Sequence, residues 1–163
     1  MNLVNIVLSA IEELSEKNLP KGKTAIQKIV YLSLPKEEQR KLYKPYHYGP
    51  YSEMVQNIIR SLLSLEILDY KDNELKINNK DNKFSGRKSR EILKTINFLK
   101  KNNLTSLKKI ANFSKVHYLY FHGKKKTLAE IKNFSKFIGW KNISLLSNDS
   151  IKNYIALAQK LNN

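Results

Sequence analysis

The side chains best suited to catalysis are few: three histidines, 14 acidic residues and no cysteine in 163 residues. His117 and His122 stand five apart, which puts them on different faces of a helix, and no carboxylate pair lies near them, so no metal site is expected. The acids are dispersed, and the five glycines are scattered singly, so no phosphate-cradling loop is expected. No thiol or activated serine beside a histidine suggests a nucleophile. The sequence reads as that of a binding protein, with no catalytic residue and no cofactor.

Its binding chemistry is richer. At about 100° per residue, Gln56, Asn57 and Arg60 fall with Glu53 on one side of a helix, opposite Met54, Val55, Ile58, Ile59, Leu62 and Leu63. Carboxamides suit the adenine edge and a guanidinium suits guanine. Tyr51 and Ser52 precede that helix as hydroxyl donors to a phosphate, or as packing and capping groups. Pro50 is expected at the first helical position, leaving nearby amides open to a phosphate. Lys71 and Lys76, then Lys80, Lys83, Arg87 and Lys88, would hold phosphates without reading sequence. Lys108, Lys115, Lys124, Lys125, Lys132 and Lys136 would form a second phosphate-binding surface, or a site for an acidic protein. Tyr43, Tyr46, Tyr48 and Tyr51 could stack on exposed bases, or pack a turn against the core.

The charge gives these side chains a direction. A formal charge of +16 implies an anionic partner, nucleic acid before membrane. Residues 104–163 hold 11 lysines against two acids, whereas residues 1–66 are nearly balanced. A genome biased toward lysine would not strip acids from one third of a chain. Apolar content of 41% and charged content of 27% fit a folded globular protein. No stretch of about 18 uncharged apolar residues occurs, and the opening apolar run has no basic leader, so neither a membrane span nor a signal peptide is expected. With no cysteine, a cytoplasmic setting is the default.

The elements that must position these groups follow from periodicity and punctuation. Leu3, Val4, Val7, Ile11 and Leu14 mark a first helix, and Ile26, Ile29, Val30 and Leu34 a second one ended by Pro35. EEQRKLY reads as a short extra turn or helix, and the Tyr43–Tyr48 stretch as extended or looped, before the helix that carries Gln56. Ile67, Leu68 and Tyr70, then Leu75 and Ile77, predict two strands around Lys71-Asp72-Asn73. Helix, helix, helix, hairpin is the order of a winged helix-turn-helix, whose third helix enters the major groove. The polar stretch at 79–90 reads as a linker, and the rest as helices, although VHYLYF also suits a strand. Thr127 is a plausible cap and Gly139 a plausible stop for a helix between them. The apolar stripe within residues 147–161 suggests a homodimer contact.

Two segments carry a resemblance. Lys23 and Gln27-Lys28-Ile29-Val30-Tyr31-Leu32, with Tyr46-His47-Tyr48-Gly49-Pro50-Tyr51-Ser52, resemble a group of prokaryotic winged-helix proteins and, more distantly, the Panacea antitoxin-associated domains. The match covers roughly residues 20–70. It implies a winged-helix-like fold in a regulatory, DNA-linked or antitoxin setting, and it brings no catalytic residues. The expectation is a mainly α protein with a small β-hairpin: a winged helix-turn-helix over 1–78, a basic linker over 79–90 and a basic helical extension over 91–163. Its expected partner is double-stranded DNA and its role transcriptional regulation. A protein-interaction or antitoxin-type module and an RNA-binding protein are the alternatives.

Overall fold

A computed structural model describes residues 2–78 and 88–162. Arg87, with Lys80 and Lys83, lies outside the described residues. The protein is mainly helical with small antiparallel hairpins. In order it forms α1 (Leu3–Glu16), α2 (Lys23–Ser33), α3 (Lys36–Leu42), β1 (Lys44–Tyr46), β2 (Gly49–Tyr51), α4 (Glu53–Ser64), β3 (Leu68–Lys71) and β4 (Glu74–Ile77). The second half continues with α5 (Arg90–Lys101), α6 (Leu107–Phe121), α7 (Leu128–Phe137), α8 (Lys141–Ser144) and α9 (Asn148–Leu161).

Helix α2 is the axis of the fold. Its residues 25–32 are buried without a break, and it packs against α1, α4, α5, α6 and β2. A helix apolar nearly all round belongs in a core, and α2 has one charge in that run, Lys28. Its C-terminal carbonyls are closed by buried Gln39 of α3, whose Nε2 donates to the carbonyls of Tyr31 and Leu34 at 2.9 Å each.

The core does not stop at the segment 79–90. Leu14, Ile29, Val55 and Leu75 share one buried cluster with Ile96, Phe113 and Ala158. The regions read as a domain and an extension therefore bury apolar surface against each other. A second cluster, around Trp140, Leu119 and Ile131, joins α6 to α7, α8 and α9.

Several local expectations change. The chain from Lys44 to Tyr51 is a second hairpin with a two-residue turn, His47-Tyr48. Pro50 lies in β2, and α4 starts three residues later at Glu53, behind an N-cap at Ser52. VHYLYF completes α6 and is not a strand. The stripe of α9 is spent internally, with Ile151, Leu157, Ala158 and Leu161 buried, so the feature that suggested a dimer contact is accounted for within one chain. Other expectations hold: β3 and β4 pair around Asp72-Asn73, both at positive φ, which suits a tight hairpin turn. Thr127 caps α7 in a reciprocal box with Glu130, and Gly139 takes φ +82° after it. Among the described residues, no helix is long and apolar enough to cross a membrane.

A carboxylate-free depression at the β1–β2 turn

The two motif segments meet across the α2–β2 contact. Gln27 clasps the main chain of Ser52 from both sides, donating from Nε2 to its carbonyl at 2.9 Å and accepting its N–H on Oε1 at 3.1 Å. Next to it the Lys28 Nζ donates to the Pro50 carbonyl at 2.7 Å. Tyr43 donates from its hydroxyl to the Gln27 carbonyl at 3.2 Å. The turn is tied from the other side by Trp140, whose Nε1 donates to the Tyr46 carbonyl at 2.6 Å. Gly49, at φ +110°, lets the strand lie on two lysine stems: a Cβ there would stand 3.1 Å from Lys115 Cγ and 3.2 Å from Lys28 Cε.

Two depressions flank this turn and share Thr24 and Tyr48. One, of about 110 Å³, is bordered by Lys23, Thr24 and Lys28 of α2, by Tyr46, Tyr48 and Tyr51, and by Gln56 of α4. The other, of about 640 Å³, is bordered by His47, Lys108, Asn112, Lys115 and Asn142. Neither is lined by a carboxylate. Burial, with Lys115 close by, pulls the Lys28 ammonium down to about 7, and burial lowers Lys115 as well. Lys115 donates to the Asn142 Oδ1 at 2.9 Å.

The sequence-predicted residues divide into several groups. Asn57 and Arg60 are exposed on α4, with Arg60 Nη1 donating to Asn57 Oδ1 at 3.4 Å, and half-buried Gln56 turns toward the smaller depression. Tyr51 is half-buried and also borders that depression. Ser52 is a correction: it is fully buried and its hydroxyl accepts from Val55 N–H, so it caps α4 and reaches no phosphate. Lys115, expected on an exposed phosphate-binding surface, is a second correction: it is buried beneath Gly49 and Trp140.

The hairpin and the distal lysines are arranged differently from expectation. Lys71 and Lys76 are exposed, but in register they stand opposite Glu74 and Asp69, and Asp72 adds a third acid to the β3–β4 hairpin. Lys88 is engaged by Glu13 at 3.4 Å and Glu16 at 2.8 Å. Lys108 is exposed beside His47 and Tyr48. Lys124 and Lys125 sit in the α6–α7 connection, with Lys125 Nζ 4.7 Å from the Phe134 ring centre, and Lys132 and Lys136 lie on α7. These four border neither depression.

Of the four tyrosines, Tyr43 is buried, whereas Tyr46 and Tyr48 are exposed at 55% and 71%. Two of the histidines, His117 and His122, are engaged in the fold, and His47 is exposed at the β1–β2 turn. His117 is buried between the Tyr31 hydroxyl at 2.8 Å and the Asn162 amide at 2.7 Å, and burial lowers it to about 3. His122 meets Gln39 at 2.8 Å. Beside α4 lies a separate apolar groove of about 750 Å³ that includes Val4, Met54 and Leu65, the last two 54% and 68% exposed.

Lys23, Thr24 and Lys28, with His47, Asn112 and Asn142 around the larger depression, were not selected as site residues from the sequence. Lys28 had a signal: a lone charge inside an apolar helix. No family model matches this chain, and no curated protein matches it significantly.

Proposed function

We propose that this protein binds duplex DNA as a winged-helix transcriptional regulator, reading base edges with Gln56, Asn57 and Arg60 of α4. The phosphate backbone then passes over the start of α2 and the β1–β2 turn. One adjacency supports this reading: Gln56 borders the same carboxylate-free depression as Lys23 and Thr24 at the side-chain-uncapped start of α2. A base-reading face would need cations and amides beside it to fix its register, and Lys23 with the first turn of α2, which no side chain caps, would supply them. Lys108, next to Tyr48, extends the cationic rim. The β3–β4 hairpin, with its three acids, contributes little to phosphate affinity.

Fluorescence anisotropy with a labelled duplex tests this. The expected result is a salt-sensitive affinity, each neutralised phosphate adding about −0.9 to the slope of log K against log salt. Arg60→Ala and Gln56→Ala should each weaken specific binding by about 1–3 kcal/mol. Equal binding of duplex and heparin, unchanged by those substitutions, contradicts it.

A specific observation favours a second reading, an antitoxin-type grip on a protein. The groove at Val4, Met54 and Leu65 leaves large apolar side chains in water beside Glu53, whose carboxylate would repel a phosphate. Met54→Ser and Leu65→Ser, which add no charge beside Asn57 in the same groove, would abolish capture of a protein partner while leaving duplex affinity within about twofold. Preference for single-stranded RNA over duplex in competition would instead point to Tyr46 and Tyr48 as stacking platforms.

A further inference from the structure

We infer that the smaller depression under the β1–β2 turn is a binding site for a tetrahedral oxyanion, the terminal phosphoryl group of a phosphomonoester, seated against the Lys28 ammonium. Lys28 is 2% exposed, and among the described residues no carboxylate pairs with it. An ammonium carries three N–H donors. One goes to the Pro50 carbonyl at 2.7 Å, which leaves two beside the cavity. A buried cation without a counter-ion costs several kcal/mol, so folds that retain one usually pair it or lose its proton.

Lys28 shares the depression with Tyr46, Tyr48 and Tyr51 from the hairpin and uncharged Gln56 from α4, and Lys115 from α6 stands close to it; Lys23, on its own helix, borders the depression with its Nζ 4.3 Å over the Tyr70 ring. All of these are cations, hydroxyls or amides, and an oxyanion is the ligand that satisfies them together. Two further donors converge there. Thr24 contributes a hydroxyl, and the first turn of α2 has amides that no N-cap side chain takes up, since Gly22 occupies that position. The depression, about 110 Å³, has room for one phosphoryl group. A terminal phosphoryl group, with two charges, gains more from these donors than a singly charged diester does.

This inference goes beyond the DNA reading and does not depend on base recognition by α4. It also gives the buried amine a proton-linked role. Without ligand, burial and Lys115 hold Lys28 near 7, so an arriving oxyanion would draw a proton onto it. Binding should weaken as pH rises from about 6 to about 9.

The test uses the intact protein with lysine ¹⁵N-labelled, and sulfate as the probe because it does not itself titrate in that range. Expected is saturable one-to-one binding over chloride at matched ionic strength, with the Lys28 ¹⁵Nζ signal shifting toward the charged form. Thr24→Val and Lys28→Met should each weaken sulfate by about tenfold or more, and Lys100→Ala should not. If Lys28→Met fails to fold, the Nζ signal of the unsubstituted protein and the Thr24 variant decide. Non-saturating shifts spread over exposed lysines, or an Nζ signal indifferent to sulfate, overturn the inference. Competition by 5′-phosphorylated but not 5′-hydroxyl oligonucleotides would assign the phosphoryl group to a nucleic-acid end. Sulfate displaced by inorganic phosphate alone would assign it to a small molecule. Because the sulfate arm contains no DNA, its failure leaves the DNA reading standing, and the reverse holds too.

Discussion

Gln27 and Lys28 are adjacent residues with different tasks at one contact. Gln27 satisfies both main-chain groups of buried Ser52, a match that an apolar residue could not supply. Lys28 makes a comparable bond to Pro50 but brings a charge with it. Its ordinary value is 10.5 and its folded value is about 7, so between these the unfolded chain holds a proton that the folded chain lacks. Its stabilising contribution is therefore fully present above 10.5 and lost as pH falls through about 7. In urea unfolding, the native protein should lose stability relative to Lys28→Met as pH is lowered across that window. A pH-independent difference between the two would show that Lys28 is not desolvated. His117 acts on the acid side: lowered from 6.5 to about 3, it removes stability as pH falls through that interval, and His117→Gln should flatten the loss.

At the scale of elements, the β1–β2 hairpin is the part least legible in the sequence. Its strands are three residues each, β1 is wholly exposed, and each strand contains a proline, so neither alternation nor propensity announces it. What holds it is contact with distant residues: Trp140 on Tyr46, and Lys28 and Lys115 under Gly49. By contrast α1, α2 and α9 were legible because their apolar periods are long, and the β3–β4 turn because Asp72-Asn73 is local turn chemistry. Position 49 therefore offers a sharp test. Gly49→Ala should destabilise the protein by about 2 kcal/mol or more, from positive φ and from crowding on two buried lysine stems. Gly139→Ala, also at positive φ but with nothing within 4 Å, should cost about 1 kcal/mol. Thermal unfolding of the pair separates crowding from backbone strain.

At the scale of the molecule, the outward residues of α4 were found from sequence because helix geometry alone sorts them. The lysines were harder, since charge says nothing about burial until the partner elements are known. Lys115 went inside, Lys88 went to Glu13 and Glu16, and the α7 lysines went to a different part of the fold from Lys108. The shared core has its own consequence. Val55 and Leu75 rest in one cluster with Ile96, Phe113 and Ala158, so residues 1–78 alone should expose much of that surface. Such a fragment should show no cooperative unfolding transition by circular dichroism, whereas the full chain should show one. An independently cooperative fragment would restore the view of two separable domains.

The most direct measurement is an amide chemical-shift map of the full protein titrated with duplex DNA near physiological salt. Perturbations should concentrate at Gln56, Asn57 and Arg60, at Lys23 and Thr24, and at His47, Tyr48 and Lys108. Perturbations confined to α7 and the Lys124–Lys125 connection, or centred on Val4, Met54 and Leu65, would contradict the proposed DNA face.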